Sequence, residues 1–152
     1  MKTKVLLVDD DVSVVVALTG MLIGEGYDVI QAFNGHEALD SFHAAGGADI
    51  VLLDLCMPVR GGWDTFERLS EINPFLPIIV ITARPEQYPT AAAARVAALM
   101  EKPLDVPLLL TTMRSLLSEP VDMRLGRIAG EHPHTLHLAT PAGIATFSRT
   151  RS

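Results

Sequence analysis

Short unbroken apolar runs recur along the chain, and each gives way to a stretch of helical character. Val5-Leu6-Leu7-Val8 stops at Asp9-Asp10-Asp11, Ile50-Val51-Leu52-Leu53 stops at Asp54, and a third run extends from Pro77 to Thr82. Such a run, with no polar alternation, reads as a strand covered on both faces, which is the signature of a parallel sheet. Asp28–Ala32 and Val96–Met100 supply two more strands. Between them the pattern predicts helices over Val12–Gly24, Gly35–Ala45, Trp63–Ile72, Ala91–Ala94 and Asp105–Leu117. Gly24 and Gly26 suit a helix C-terminus, Gly46-Gly47 stops the second helix, and Asp105 suits an N-cap. Five strands alternating with five helices build βαβ units with right-handed crossovers, an α/β fold on a parallel sheet.

In open sheets of this class, ligands bind beyond the carboxyl ends of the strands. Attention therefore falls on the residues that end each strand: Asp9 and Asp10, Asp54, Thr82, and Glu101-Lys102. Three carboxylates gathered at one sheet edge repel each other, and a hard divalent cation relieves the repulsion. Mg2+ takes oxygen ligands and keeps several waters, so Asp9, Asp10 and Asp54 point to a Mg2+ site. Lys102 brings a point charge that can meet a carboxylate or a phosphoryl oxygen, and Thr82 offers a hydroxyl. A carboxylate beside a divalent cation, a lysine and a hydroxyl can accept a phosphoryl group, because the cations offset the charge that arrives with it.

Composition narrows the field. Of 152 residues, 49% are hydrophobic and 20% charged, enough apolar material for a core. The net charge of −6 argues against a nucleic-acid surface built on basic residues. A single cysteine, Cys56, excludes an internal disulfide framework and a multi-cysteine zinc site. No uncharged apolar stretch approaches the ~18 residues of a membrane span, and the N-terminus lacks the features of a signal peptide. The expectation is a soluble, cytoplasmic protein that contacts neither membrane nor DNA. Residues 1–120 hold 8 Lys/Arg against 16 Asp/Glu, whereas 121–152 hold 4 Arg against 2 acids. The shift at Pro120 sets an expected boundary between a domain, 1–120, and a C-terminal extension, 121–152.

Val8-Asp9-Asp10, Asp54-Leu55-Cys56-Met57-Pro58 followed by Gly62, Thr82-Ala83, and Lys102-Pro103 together resemble the receiver domain of two-component response regulators, over about residues 3–119. The resemblance implies a doubly wound, flavodoxin-like (βα)5 fold with strand order 2-1-3-4-5. It implies that Asp54 is the phospho-acceptor, that Asp10 ligates Mg2+ directly and Asp9 through water, and that the Cys56 backbone carbonyl joins the shell. Lys102 would pair with the phosphate, across a Lys102-Pro103 bond expected to be cis, and Thr82 would be the switch hydroxyl. The partners implied are a sensor histidine kinase or a histidine phosphotransfer protein, with a homodimer left open. The chain would signal as a stand-alone receiver and catalyse only its own phosphorylation and dephosphorylation. It departs from the family at Leu99, where an aromatic residue usually turns inward with the switch.

Other readings stand beside these. Asp9-Asp10-Asp11 also suits a turn or a helix cap, Thr82 can simply end a β-branched strand, and Lys102 can be solvated. A phosphorelay intermediate would use the same residues. So would a Mg2+-dependent phosphatase working through an aspartyl-phosphate, although Cys56 stands where such enzymes place a second aspartate. A scaffold that takes no phosphate is a further alternative. Val14, Val15 and Val16 crowd the first helix, which is either deeply buried or a docking face. His132, His134 and His137 have spacing that only weakly suggests metal. In the extension, 135–140 and 144–147 can pair as a β-hairpin around Pro141-Ala142-Gly143, with disorder as the competing expectation.

Overall fold

The computed structural model of the chain describes residues 2–55, 61–84, 90, 96–129, 136–139 and 146–149, in two units, Met1–Leu76 and Pro77–Ser152. The first unit runs β1 (Lys4–Val8), α1 (Val12–Gly24), β2 (Asp28–Ala32), α2 (Gly35–Ala44), β3 (Ile50–Asp54) and α3 (Gly62–Ile72). β1 is its central strand. It pairs in parallel with β2 from Lys4↔Asp28 to Val8↔Ala32, and with β3 from Val5↔Ile50 to Val8↔Leu53. Val5–Val8 and Ile50–Leu53 are all buried, as strands apolar at every position must be to remove both faces from water. The start of β1 is pinned. Its Lys4 N–H donates to the Asp49 carboxylate at 2.8 Å, and the Lys4 ammonium donates to the Ala45 carbonyl at 2.9 Å.

The first two helices of this unit begin on a side-chain cap. The Asp11 side chain accepts from the Ser13 and Val14 N–H groups, capping α1. Asn34 does the same for α2 through the Glu37 N–H at 2.9 Å. α1 buries Val15, Leu18 and Leu22, spaced for one helical stripe. Val12, Val16 and Ile23 are each more than half exposed. Deep burial of the whole helix, one of the two readings of its valines, is therefore incorrect: only Val15 of Val14–Val16 is fully covered.

The second unit runs β4 (Ile78–Thr82), β5 (Ala98–Glu101), α4 (Val106–Leu117), α5 (Val121–Ala129), β6 (Leu136–Ala139) and β7 (Thr146–Arg149). β4 and β5 are parallel, from Ile79↔Ala98 to Thr82↔Glu101. β6 adds to β5 in parallel over Ala98↔Leu136, Leu99↔His137 and Met100↔Leu138, and β7 returns antiparallel to it. α4 is capped by the Asp105 carboxylate, which accepts from the Leu108 N–H at 3.0 Å, and it buries Leu108, Leu109, Met113 and Leu116.

Three details differ from the sequence reading. Val96 and Ala97 are buried but precede β5, which starts at Ala98. A helix, α5, forms at the start of the extension, where only a hairpin or disorder was expected further on, and Val121, Leu125, Ile128 and Ala129 keep a helical apolar spacing along it. Backbone bonds from the Met123 and Arg124 N–H groups to the Pro120 carbonyl start it, and the Arg124 guanidinium donates to the Leu116 carbonyl at 2.9 Å. The return strand of the extension, described over Thr146–Arg149, runs past the expected end at Phe147, while Ile144 and Ala145 lie outside the described residues. The helix expected over Ala91–Ala94 lies outside the described residues, as do His132, His134 and the Pro141-Ala142-Gly143 turn.

Candidate metal centre at the strand ends

The β1–β3 register decides which acidic residues meet. Its last pair is Val8↔Leu53, so Asp9 and Asp54 follow as neighbours where the two strands end. One carboxylate oxygen from each of Asp9, Asp10 and Asp54 falls within 4.8 Å of the others. Asp9 and Asp54 are 4% and 2% exposed, whereas Asp10 is exposed. Oxygens on opposite sides of one Mg2+ stand about 4.2 Å apart, from ligand distances of ~2.1 Å. The cluster therefore needs little closure to share one ion, and less if a ligand acts through water. Carboxylates withdrawn from water into an apolar strand end cost heavily unless they are paired or ligate metal, and an all-oxygen donor set suits a hard cation. The three residues fit Mg2+.

The acidic run divides its labour. Asp11 is a helix cap, accepting also from the Ser13 hydroxyl at 2.7 Å, and is not one of the three clustered carboxylates. Asp9 accepts from the Asp11 N–H at 2.9 Å, while its own N–H donates to the Ala32 carbonyl at 3.2 Å. Within the triplet, Asp11 caps the helix, whereas Asp9 and Asp10 join the acidic cluster. Cys56, whose carbonyl the family resemblance assigns to the shell, lies outside the described residues.

Gly62 has a structural role that the motif spacing alone did not explain. It is the first residue of α3, and a Cβ there would lie 2.5 Å from the Leu55 Cα and 2.9 Å from the Asp54 carbonyl oxygen. The helix start presses on the strand end that carries Asp54, and only hydrogen fits between them. The next residue, Trp63, is partly buried and packs edge-on against Phe66, ring centroids 5.8 Å apart.

In the second unit, Thr82 and Lys102 are brought together at the carboxyl ends of β4 and β5. The Lys102 N–H donates to the Thr82 carbonyl at 2.8 Å. Thr82 is fully buried, and its hydroxyl accepts from the Arg84 N–H at 3.0 Å. The Lys102-Pro103 peptide is cis, as the resemblance implied. Leu99 is fully buried in β5, registered with Val80 on one side and His137 on the other.

Comparison with known proteins agrees with this geometry. Residues 5–114 match the response regulator receiver domain family. The chain is 35% identical over 119 residues to the transcriptional regulatory protein ZraR of Salmonella typhimurium, covering 77% of this chain and 27% of that one. It is 34% identical over 116 residues to the transcriptional regulatory protein CpxR of Escherichia coli, covering 75% and 49%. The chain thus spans about a quarter to a half of the length of these relatives. Among solved structures, it is similar to the chemotaxis protein CheY4 of Vibrio cholerae, with TM-score 0.70 and 29% identity over 76% of this chain and 99% of that one. It is also similar to the response regulator TrrA of Thermotoga maritima in complex with Mg2+-BeF, with TM-score 0.69 and 28% identity over 76% and 99%. The fold is the expected one, five parallel strands in the order 2-1-3-4-5. The expectation of no DNA binding gains no support, since the relatives are themselves named as transcriptional regulators. No described helix is long and apolar enough to cross a membrane.

Proposed function

The chain belongs to the response regulator receiver domain family, and from that premise we propose that it carries a transient phosphoryl group on Asp54. The observation that carries this reading is the convergence of Asp9, Asp10 and Asp54 within 4.8 Å, with Asp54 at the end of a fully buried strand. In the transfer, an Asp54 oxygen attacks phosphorus while the P–N bond of a kinase phosphohistidine breaks. The electron pair leaves with the imidazole nitrogen, which takes up a proton. Asp10 directly, Asp9 through water, Asp54 itself and the Cys56 carbonyl would hold Mg2+, which supplies positive charge beside the phosphoryl oxygens. Lys102 adds a second positive charge for the phosphate, and the Thr82 hydroxyl moves to a phosphoryl oxygen once it is in place. Beyond forming and hydrolysing this acyl phosphate, the chain turns over no substrate.

The partner on the input side is a sensor histidine kinase or a histidine phosphotransfer protein. The exposed Val12, Val16 and Ile23 on α1 supply an apolar face for it. The output passes by phosphorylation-dependent contact with a further protein, in the cytoplasm. Two of the similar proteins are named transcriptional regulators, so a DNA-linked output remains in the reading. The test is acetyl phosphate with Mg2+, read by intact-protein mass. Wild type gains one phosphoryl group and Asp54→Ala gains none; equal uptake by the two overturns the assignment.

A further inference from the structure

The C-terminal strands do more than extend the sheet. We propose that β6 and β7 form a releasable strap on the edge of β5, held in the resting chain and loosened when the phosphoryl group arrives. The inference rests on the reading of Asp54, Thr82 and Lys102 given above. β6 holds β5 through three register pairs, Ala98↔Leu136, Leu99↔His137 and Met100↔Leu138. β7 is paired with β6 from Leu136↔Arg149 to Ala139↔Thr146. A two-stranded hairpin is marginal by itself in water, so its order depends on that short parallel seam.

The seam is wired to the switch residues through one strand. β5 pairs with β4 on its other side as far as Thr82↔Glu101, and the next residue, Lys102, donates its N–H to the Thr82 carbonyl. Leu99, at the position where the family places its moving aromatic, sits in register with both Val80 and His137. The Thr82 hydroxyl accepts from the Arg84 N–H in the resting state. Drawing that hydroxyl and the Lys102 ammonium onto phosphoryl oxygens reorganises the carboxyl end of the β4–β5 ladder. A displacement there reaches Met100↔Leu138 first, and losing one pair of three removes a large share of the strap's hold. In a chain whose Leu99 cannot swing as an aromatic would, departure of the strap gives the phosphorylated state a surface change of its own: a bare β5 edge.

Amide hydrogen exchange on the full chain tests this, with and without acetyl phosphate and Mg2+, and with intact mass followed in parallel. On phosphorylation, exchange over 98–100, 136–139 and 146–149 quickens about two- to tenfold, the loss of one net ladder bond, and it stays unchanged in Asp54→Ala. A phosphoryl adduct with unchanged exchange in these segments overturns the strap and leaves the acceptor standing. Absence of the adduct overturns the acceptor and the strap with it. Leu138→Pro removes a β6 amide, so its unphosphorylated form exchanges over 98–100 at least as fast as phosphorylated wild type. Protection there equal to resting wild type shows that β6 does not hold β5.

Discussion

Replacing Gly62 by alanine adds one methyl group where the start of α3 meets the strand end carrying Asp54. The new Cβ would lie 2.5 Å from the Leu55 Cα and 2.9 Å from the Asp54 carbonyl oxygen. Carbon atoms in ordinary contact stand about 3.5–4.0 Å apart, so backbone must yield by about 1 Å. Forcing extra volume into a packed site costs roughly 1–3 kcal/mol. For a chain of this size that is a Tm lower by roughly 2–12 °C. The control is the same substitution at Gly20, exposed within α1, where a Cβ meets nothing within 4 Å. There alanine gains about 0.8–1 kcal/mol of helix propensity and Tm rises by about 2–4 °C. Thermal unfolding followed by circular dichroism reads both. Because the displaced backbone is that of Asp54, calorimetric titration should also show weaker Mg2+ binding in Gly62→Ala and unchanged binding in Gly20→Ala. A Gly62→Ala protein that melts at or above wild type and binds Mg2+ equally well would refute the close-approach argument.

Other consequences are as direct. Asp10→Asn should raise the Tm measured in EDTA by relieving repulsion among the clustered carboxylates. It should also lose most of the Mg2+-induced stabilisation, which at a hundredfold excess over Kd is about 2.7 kcal/mol in wild type. Asp11→Ala removes the α1 cap and should cost about 0.5–2 kcal/mol in denaturant unfolding. Its Mg2+ affinity should stay within twofold of wild type, and a large loss would show that Asp11 belongs to the metal centre. Val16→Asp, on the exposed face of α1, should leave stability within about 0.5 kcal/mol. It should slow phosphotransfer from the cognate kinase while leaving acetyl-phosphate uptake unchanged; equal slowing of both would place the defect in the site itself.

The strands and the residues that end them were legible because they rest on short-range physics. An apolar run such as Ile50–Leu53 must be covered on both faces, and the charged residue that stops it must surface where the strand stops. The acidic cluster follows from that rule and from pairing of the two strands concerned. What escaped the sequence depended on other terms. α5 is short, nine residues with Gly126 inside it, and it begins on bonds to the Pro120 carbonyl and the Arg124–Leu116 contact, neither visible as a hydrophobic pattern. Exposure of Val12 and Val16 is set by which stripe of α1 the sheet covers, and consecutive valines do not reveal it. The importance of Gly62 lies in a distance across space, to Leu55, rather than in any φ requirement.

The register of β1 against β3 has a bearing on how such a chain can change length. Side chains alternate faces along a strand, so losing or gaining one residue within Val5–Val8 or Ile50–Leu53 would turn Asp9 or Asp54 to the wrong face. The bends at Gly46 and Gly47, with φ of 74° and 104°, lie at the opposite end of β3 and carry no such constraint. An insertion there disturbs the Lys4 contacts with Ala45 and Asp49 but leaves both strand registers in place, whereas a single-codon deletion in either strand disarms the acidic centre even if the domain still folds.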